Sequence, residues 1–390
     1  MAIPSVTVVT GNRATAATLG INADKRVVDI HDKIFHLEAD KAPLTLLMNE
    51  FDRSSAFNPD FSWLQDELTP SITQINGGDV TSGSVTFTVD KEEYGWVNCL
   101  AQVQRTGEII KITALSTGDS TWTVERSIGS TAAAAVVDND YISILGGVAA
   151  EGSTSESARS VKSATKSSRC QIFRSPFQAT ETVMASKLYG PADLSNTQML
   201  RGIEHAVYME QAALWSEASL DTSGDEPIRT SDGLNAVIST NSRNFGGGLS
   251  LVSLFDFMEE VNRYSDGTKL FLGGGSVISN VSLLAESALR EVSPADSYGL
   301  NVKKLVTPHG DLLIKKHNKM EGNENGRMFF IVDTDNIGYR YLRDTKLKTN
   351  IQAPDADSRK DEFLTEAGFE IRQERTHGVG TNAAATATGA

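Results

Sequence analysis

The sequence predicts an α+β fold in which a small all-β domain precedes a long helix. Three observations lead to this prediction. The longest helical pattern of the chain runs from Asp193 to Ser219. Short β-branched runs, separated by glycine-containing turns, fill residues 72–148. Helical and strand-like segments then mix between residues 249 and 373. Strands clustered in one part of a chain and mixed with helices in another are typical of α+β proteins.

The long helix is predicted from an apolar stripe surrounded by polar and charged side chains. Ser195 and Gln198 fit a capping box, and Ser223-Gly224 supplies a stop signal. A helix of about 26 residues would be roughly 39 Å long, so we expect other elements to pack along it. The stripe consists of Leu200, Ile203, Val207, Ala213 and Leu214. The surrounding polar residues are Arg201, Glu204, His205, Glu210 and Glu217.

Composition indicates an ordinary globular protein and disfavours several functions. Hydrophobic residues make up 39% of the 390 residues and charged residues 22%. The net charge of −14 disfavours binding to a nucleic-acid backbone, which needs clustered positive charge, and fits a role in solubility. Cys99 and Cys170 are the only cysteines, so no disulfide framework or CxxC metal site is expected. No signal peptide and no membrane-spanning stretch is predicted.

The chain begins with two contrasting segments. Residues 1–30 are rich in Ala, Thr, Val and Asn without apolar periodicity, which predicts an extended arm that lies on another surface. Residues 33–66 are rich in large apolar side chains and are predicted to contribute to a core. These side chains are Ile34, Phe35, Leu37, Leu44, Leu46, Leu47, Met48, Phe51, Phe57, Phe61 and Trp63.

Residues 72–148 are predicted to form an inserted β domain. The strand candidates are 86–89, 108–115, 121–127 and 140–147, and glycine-containing turns separate them. Four or five strands at roughly ten-residue spacing predict a small antiparallel sheet or barrel. A separate recognition role for this domain is left open.

The segment 151–174 is basic in an otherwise acidic chain. It carries Arg159, Lys162, Lys166, Arg169 and Arg174 against two glutamates. We interpret it as a hairpin that leans on a partner, with residues 170–173 and 179–186 as strand-like arms on either side of Pro176. Such a hairpin would be dispensable for folding of the subunit. A solvated linker is the alternative. The five basic residues are the candidate contacts to a neighbouring subunit.

The second half of the chain mixes helices and strands. Helices are predicted at 249–264 and 276–292. Residues 378–390 are small and are predicted to form a mobile tail. Strands are predicted at 269–272, 302–307, 311–317, 327–332, 339–342 and 361–373.

Motifs of known chemistry are not found. The Gly273–Gly275 run lacks the spacing of a phosphate-binding loop and is predicted to be a tight turn. Asp333–Gly338 resembles the start of a calcium loop, but Ile337 stands where an oxygen ligand is needed. His309 and His317 could meet across adjacent strands, although two imidazoles alone make a poor metal site. No catalytic, cofactor-binding or metal-binding residue is predicted, and the chain is not expected to be an enzyme.

The order of the sequence resembles that of major capsid proteins of tailed bacteriophages, which have the HK-97-like fold. Three passages carry the resemblance, and together with their spacing they cover about four fifths of the chain. They are DKAPLTLLMNEFDRSSAFNPDFSWLQDEL (40–68), the passage from RTGEIIKITAL to ILGGVAAEGS (105–153), and SSRCQIFRSPFQATETVMAS with LRGIEHAVYMEQAAL (167–214).

This resemblance implies a fold and a division of the chain. The fold would be HK-97-like, with a long spine helix, an extended loop, an N-terminal arm and an inserted all-β domain. The implied parts are the arm (1–33), the start of a peripheral domain (34–71), the inserted β domain (72–148), the extended loop (149–178), the peripheral domain with the spine helix (179–229), an axial domain (230–336), a return to the peripheral domain (337–377) and a flexible tail (378–390).

The resemblance also implies a function. The chain would self-assemble through pentamers and hexamers into the icosahedral shell that encloses the double-stranded DNA of a phage, without reading its sequence. Scaffold, portal and decoration proteins would be further partners. The protein would be located in the virion and assembled in the host bacterial cytoplasm. The alternatives are an encapsulin-like compartment shell, a phage tail or fibre protein, and a hydrolase without a recognisable motif.

Overall fold

A computed structural model describes residues 52–116, 118–154, 158–186, 193–265, 267–284, 289–291, 303–307 and 309–384. The chain divides into two compact units. The first consists of Met1–Trp63 and Ser167–Ala390, and the second of Leu64–Lys166. The predicted arm at 1–33 and the apolar residues from Ile34 to Phe51 lie outside the described residues. Both units are built mainly from strands, and the fold is α+β.

The strands, in chain order, are β1 (Arg53–Ser55), β2 (Asp60–Gln65), β3 (Ile72–Gln74), β4 (Thr86–Thr88), β5 (Cys99–Val103), β6 (Ile109–Ser116), β7 (Thr121–Glu125), β8 (Tyr141–Gly147), β9 (Ala164–Arg169), β10 (Gln171–Thr180), β11 (Ser219–Asp221), β12 (Ile228–Thr230), β13 (Ser242–Asn244), β14 (Thr268–Gly273), β15 (Leu289–Glu291), β16 (Lys303–Thr307), β17 (Gly310–Lys316), β18 (Phe329–Val332), β19 (Ile337–Lys348), β20 (Ser358–Ile371) and β21 (Gly378–Thr381). The α-helices are α1 (Glu181–Ala185), α2 (Asp193–Trp215), α3 (Leu234–Val237), α4 (Leu251–Asn262) and α5 (Gly275–Leu284).

The described strands form five sheets. A four-stranded sheet has the order β1-β19-β20-β10, and a seven-stranded sheet has the order β13-β21-β18-β14-β17-β16-β15. A six-stranded sheet has the order β3-β8-β5-β6-β7-β4. Two smaller sheets pair β2 with β9 and β11 with β12.

The predicted hairpin around Pro176 is wrong. β10 continues through Pro176, which lies opposite Glu362 of β20 in an antiparallel pair. Among the described strands β20 is the only one that pairs with β10, which is therefore an edge strand of this sheet. Proline is tolerated there because an edge strand has one side without a hydrogen-bonded neighbour. The second predicted arm begins a helix instead, since the side chain of Thr180 accepts a hydrogen bond from the Val183 N–H and caps α1.

The long helix is present as α2, with 23 residues. It begins at Asp193, so Ser195 lies inside the helix and is not its N-cap. The predicted polar surround is wrong at two positions, because His205 and Glu210 are buried. Each has a polar partner from another element: His205 contacts Ser175 and Thr365, and the Glu210 carboxylate lies 2.7 Å from His317 Nε2. Burial of such groups is tolerated when their hydrogen bonds are made.

The seven-stranded sheet contains residues that were predicted to be a tail. β21 pairs in parallel with β13 and antiparallel with β18, and Ala383 and Ala384 are 0% and 4% exposed. The prediction of a flexible tail is therefore wrong for residues 378–384, while residues 385–390 lie outside the described residues. The small side chains of residues 378–384 fit here because Phe329 and Phe245 pack directly against Gly380, where an added Cβ would lie 2.2 Å from Phe329.

Two further predictions in this half of the chain need correction. The helix predicted at 276–292 ends at Leu284, and residues 289–291 form strand β15 instead. His309 and His317 do not meet, because they stand at opposite ends of β17. The prediction for 249–264 is confirmed as α4, which carries a capping box between Ser250 and Ser253.

The glycine run and the acidic loop are turns, as predicted. β14 ends at Gly273 and α5 begins at Gly275. A Cβ on Gly274 would lie 2.3 Å from the carbonyl oxygen of Gly326, so only glycine fits between these backbones. Thr334–Asn336 forms a single 3₁₀ turn capped by the side chain of Asp333.

The second unit contains a six-stranded barrel. Its end strands β3 and β4 are joined by a bridge between Ile75 and Val89, which closes the sheet. The four predicted strands are confirmed as β4, β6, β7 and β8, and the sequence patterns missed β3 and β5. One apolar cluster fills the interior. It consists of Ile75, Val80, Phe87, Val89, Cys99, Ala101, Val103, Ile110, Ile112, Trp122, Val124, Val136 and Ile142.

The apolar residues before the barrel do not all contribute to a core. Phe57 is 93% exposed, contrary to the prediction. Phe61 and Trp63 are half-buried and stack on each other with ring centroids 6.2 Å apart. A Cβ on Gly368 would lie 2.8 Å from Phe61, so this ring covers one end of the four-stranded sheet.

Candidate assembly segment

The five basic residues of the predicted contact segment lie in both compact units. Arg159, Lys162 and Lys166 belong to the second unit, and Arg169 and Arg174 belong to the first. The segment reaches β9 at Ala164 and continues into β10. From Ala164 onward the segment is therefore strand and not a free linker.

Arg159 makes contacts inside its own unit. Its guanidinium lies 4.4 Å from the centroid of the Trp96 ring, and its Nη2 donates a 2.7 Å hydrogen bond to the carbonyl oxygen of Glu93. A guanidinium stacked on an indole gains cation–π attraction as well as packing. Arg159 therefore anchors the start of the segment to the barrel.

The other four residues differ in how far they are neutralised. Arg169 Nε donates a 3.0 Å hydrogen bond to Asp60, so this cation already has a counter-charge. Lys162, Lys166 and Arg174 are exposed, and in the described part of the chain none of them forms an ion pair. These three side chains are the ones free to contact another molecule.

Deleting residues 159–174 would disturb the fold as well as any assembly contact. Phe173 is buried in the main core of the first unit, and residues 171–174 pair with β20. The interpretation of the segment as a dispensable hairpin is wrong for this reason. Its assembly role has to be tested with surface substitutions.

Arg174 belongs to a charged surface that the sequence patterns missed. Residues that pair directly across a sheet point to the same face. Leu364 pairs with Arg174 on one side and with Lys346 on the other, whereas the neighbouring Thr365 faces α2 through its bond to His205. The face away from α2 is called the open face here. It consists of Ile172, Arg174, Pro176, Arg343, Lys346, Lys348, Glu362, Leu364 and Glu366.

The open face has an excess of positive charge at its surface. Glu362 and Glu366 are both buried, and their partners Lys348 and Arg343 lie 3.7 Å and 2.6 Å away with half-exposed side chains. Arg174 and Lys346 are exposed without an ion pair among the described residues. The repeated basic residues of YRYLRDTKLK in β19 indicated a basic surface in the sequence. Which face of the sheet these side chains occupy follows only from the pairing with β20.

The buried histidines make hydrogen bonds within the fold. His205 Nδ1 lies 2.9 Å from Ser175 Oγ, a distance found in nucleophile–base pairs, but both residues are buried and no substrate could reach them. His377 accepts a hydrogen bond from the Asp333 N–H on Nδ1, so its Nε2–H donates to the Arg372 carbonyl. Among the described residues there is no group of three or more His, Cys, Asp or Glu side chains placed to hold a metal.

Buried histidines predict acid sensitivity of the folded subunit. Burial lowers the pKa of His377 to about 4, although the carboxylate of Asp333 opposes this effect. Burial also lowers the pKa of His205. In the unfolded chain a histidine takes up its proton near pH 6.5. The unfolded state therefore binds more protons between these pH values, and the free energy of unfolding falls as pH drops from about 6.5 towards 4.

For His377 alone the loss reaches about 3 kcal/mol at pH 4. Urea unfolding at pH 7.5, 6, 5 and 4 measures it, with His377→Gln as the comparison because glutamine does not titrate. The wild type is expected to lose more stability over this range than the variant. Equal pH slopes would contradict the assignment.

The described helices include none that is long and apolar enough to cross a membrane.

Comparison with known proteins connects this geometry to a family. Residues 8–384 match the family model described as SU10 major capsid protein. The major capsid protein of Pseudomonas phage PaMx41 is 32% identical over 115 residues, which is 29% of this chain and 27% of that relative. The match thus spans about a quarter of the length of the curated relative.

Two solved structures align with this chain at low identity. The capsid of Myoviridae phage XM1 aligns with 93% of this chain and 99% of its own, with a TM-score of 0.48 and 9% identity. The holo-SrpI encapsulin complex from Synechococcus elongatus PCC 7942 aligns with 57% of this chain and 76% of its own, with a TM-score of 0.43 and 8% identity. The family match confirms the prediction of a tailed-phage major capsid protein over its alternatives: the chain belongs to the SU10 major capsid protein family.

Proposed function

We propose that this chain is the repeating subunit of an icosahedral shell that encloses the double-stranded DNA genome of a tailed bacteriophage. The observation that carries the proposal is the family match across residues 8–384. The subunit would act by assembly and not by catalysis. Its partners would be further copies of itself in pentamers and hexamers, together with scaffold, portal and decoration proteins. Assembly would take place in the host bacterial cytoplasm.

Within this proposal the fold is HK-97-like and each part has a role. α2, which packs beside β10 and β20, is the spine helix of the peripheral domain. The barrel is the inserted domain, and residues 149–178 are the extended loop. The seven-stranded sheet is the core of the axial domain. That domain then includes β21, so its boundary extends beyond 230–336 to take in residues 378–384.

The basic segment supplies contacts between subunits in this proposal. A shell is closed by contacts in which different surfaces of one chain meet, so that rotation about local five-fold and six-fold axes completes a ring. Lys162 and Lys166 are exposed at the start of β9, in a chain with a net charge of −14. Such cations would be attracted by the acidic surface of a neighbour, and opposite charges fix the register of a contact.

Reversing these two charges tests the role of the segment. Lys162→Glu with Lys166→Glu is expected to leave the subunit folded, because both side chains are exposed, and to lower the yield of shells by about tenfold or more, since like charges at a contact cost several kcal/mol. Sedimentation separates shells from free subunits. The variant Lys162→Arg with Lys166→Arg keeps the charge and should assemble normally. Normal shells from the glutamate variant would remove the segment from the assembly contacts.

A further inference from the structure

The β11–β12 hairpin is the chemical complement of the open face. Residues 221–228 are all exposed, and they include Asp221, Asp225 and Glu226. In the described structure none of these three carboxylates forms an ion pair. The Ser223 N–H donates a 2.8 Å hydrogen bond to Asp221, which lowers the pKa of that carboxyl and keeps it charged. The hairpin therefore carries an uncompensated acidic tip.

Apolar side chains on both surfaces support a contact and not merely a solvated charge cluster. Ile228 on the hairpin is 65% exposed and pairs with Asp221, so these two side chains share one face, and Ile172 on the open face is 47% exposed. Pro176 is exposed on the same face of the same strand, on the other side of Arg174. Exposed apolar side chains next to charged ones are typical of protein interfaces.

The hairpin is fixed at its base, which limits where its tip can bind. The Ser231 N–H donates to the side chain of Gln171, and the Asp232 N–H donates to Ser168. The acidic tip makes no described ion pair with Arg174 or Lys346 of its own chain. A rigid projection and a receptive face that differ in composition make a head-to-tail contact, which generates a ring when the rotation closes.

We propose that the acidic β11–β12 hairpin of one copy of this chain docks on the open face of the next copy, with Asp221, Asp225 and Glu226 meeting Arg174 and Lys346. This inference rests on the proposed function and names two surfaces through which neighbouring subunits recognise each other. Arg174 and Lys346 keep the receiving face positive, and Glu362 and Glu366 do not oppose the incoming carboxylates directly because both are buried and ion-paired. High salt is expected to weaken the contact, because exposed charges are screened.

Charge reversal on each surface, followed by reversal of both, tests the pairing. Arg174→Glu with Lys346→Glu reverses the open face, and Asp221→Lys with Glu226→Lys reverses the hairpin. Each double variant is expected to lower the assembled fraction by about tenfold or more, since like charges replace opposite ones. The chain with all four substitutions restores opposite charges and should assemble again. A mixture of the two double variants should also associate, because each then meets a complementary surface on the other.

The matched control is Lys91→Glu with Glu321→Lys, which reverses one exposed charge of each sign elsewhere. It should assemble like the wild type, as measured by sedimentation and negative-stain electron microscopy. Circular dichroism of each variant reports folding. Three outcomes would overturn the hairpin contact even though the wild type forms shells. They are wild-type assembly by both double variants, failure of the folded fourfold variant to assemble, and an equal loss of assembly in the control. A wild type that never assembles would overturn both proposals.

Discussion

Replacing Arg126 with methionine is expected to destabilise the barrel by about 3–5 kcal/mol, the usual cost of leaving one partner of a buried ion pair alone. The side chains of Arg126 and Glu108 are 7% and 0% exposed, and Arg126 Nε donates a 2.9 Å hydrogen bond to Glu108. Arg126 also donates to the carbonyl oxygens of Thr81 and Ala134 and lies over the ring of Phe87. Its loss would leave the buried Glu108 carboxylate without its counter-charge, with only the N–H groups of Ser127 and Ala134 donating to it.

Hydrogen exchange of the intact protein, resolved by peptide, measures the effect within the barrel. Lys111→Met is the matched control, because Lys111 pairs with Glu125 on the exposed outer face of the same sheet. That substitution should cost about 1 kcal/mol or less. Adding Glu108→Met to Arg126→Met should recover part of the loss, since no charge then remains buried. Equal effects of Arg126→Met and Lys111→Met would show that the buried pair does not hold the barrel together.

The second large effect is expected from shortening α2, in contrast to excision of the barrel. Its whole apolar cluster comes from residues 75–142, so neither unit loses core residues when the two are separated. Replacing residues 67–162 with a short Gly/Ser linker should leave a soluble first unit with a melting temperature within a few degrees of the wild type. Removing one turn of α2 should abolish soluble expression, because Met209, Ala213 and Leu214 are buried in the main core.

The reciprocal experiment expresses residues 64–166 alone. A closed sheet with its own core should fold by itself, giving dispersed amide resonances and one cooperative unfolding transition. An unfolded fragment together with an insoluble excised chain would contradict the independence of the two units.

Local sequence patterns correctly predicted the helices and strands that have a periodic apolar face of their own. The helical spacing of α2 and α4 and the β-branched runs of the barrel strands could be recognised in the sequence because each element presents one apolar side to a core. β21 could not be predicted in this way, since Gly378–Thr381 has too few large side chains to show the alternation of a strand. Its place in the sheet depends on Phe329, which comes about fifty residues earlier in the chain.

The wrong predictions for the elements around the candidate segment have a common physical cause. His205 and Glu210 look like surface residues of an amphipathic helix, and only tertiary partners on β10, β20 and after β17 allow them to be buried. Pro176 looks like a turn because its position at a sheet edge depends on strand order. The open face was missed because the direction of a side chain across a sheet follows from register with a distant strand.

The central property proposed for this chain is that it builds closed shells through contacts with its own copies. Electron microscopy of the purified, overexpressed full chain tests that claim directly. Closed, uniform particles whose averages contain rings of five and six subunits are the predicted result. A protein that remains monomeric at all concentrations, or that forms only open tubes, would contradict it.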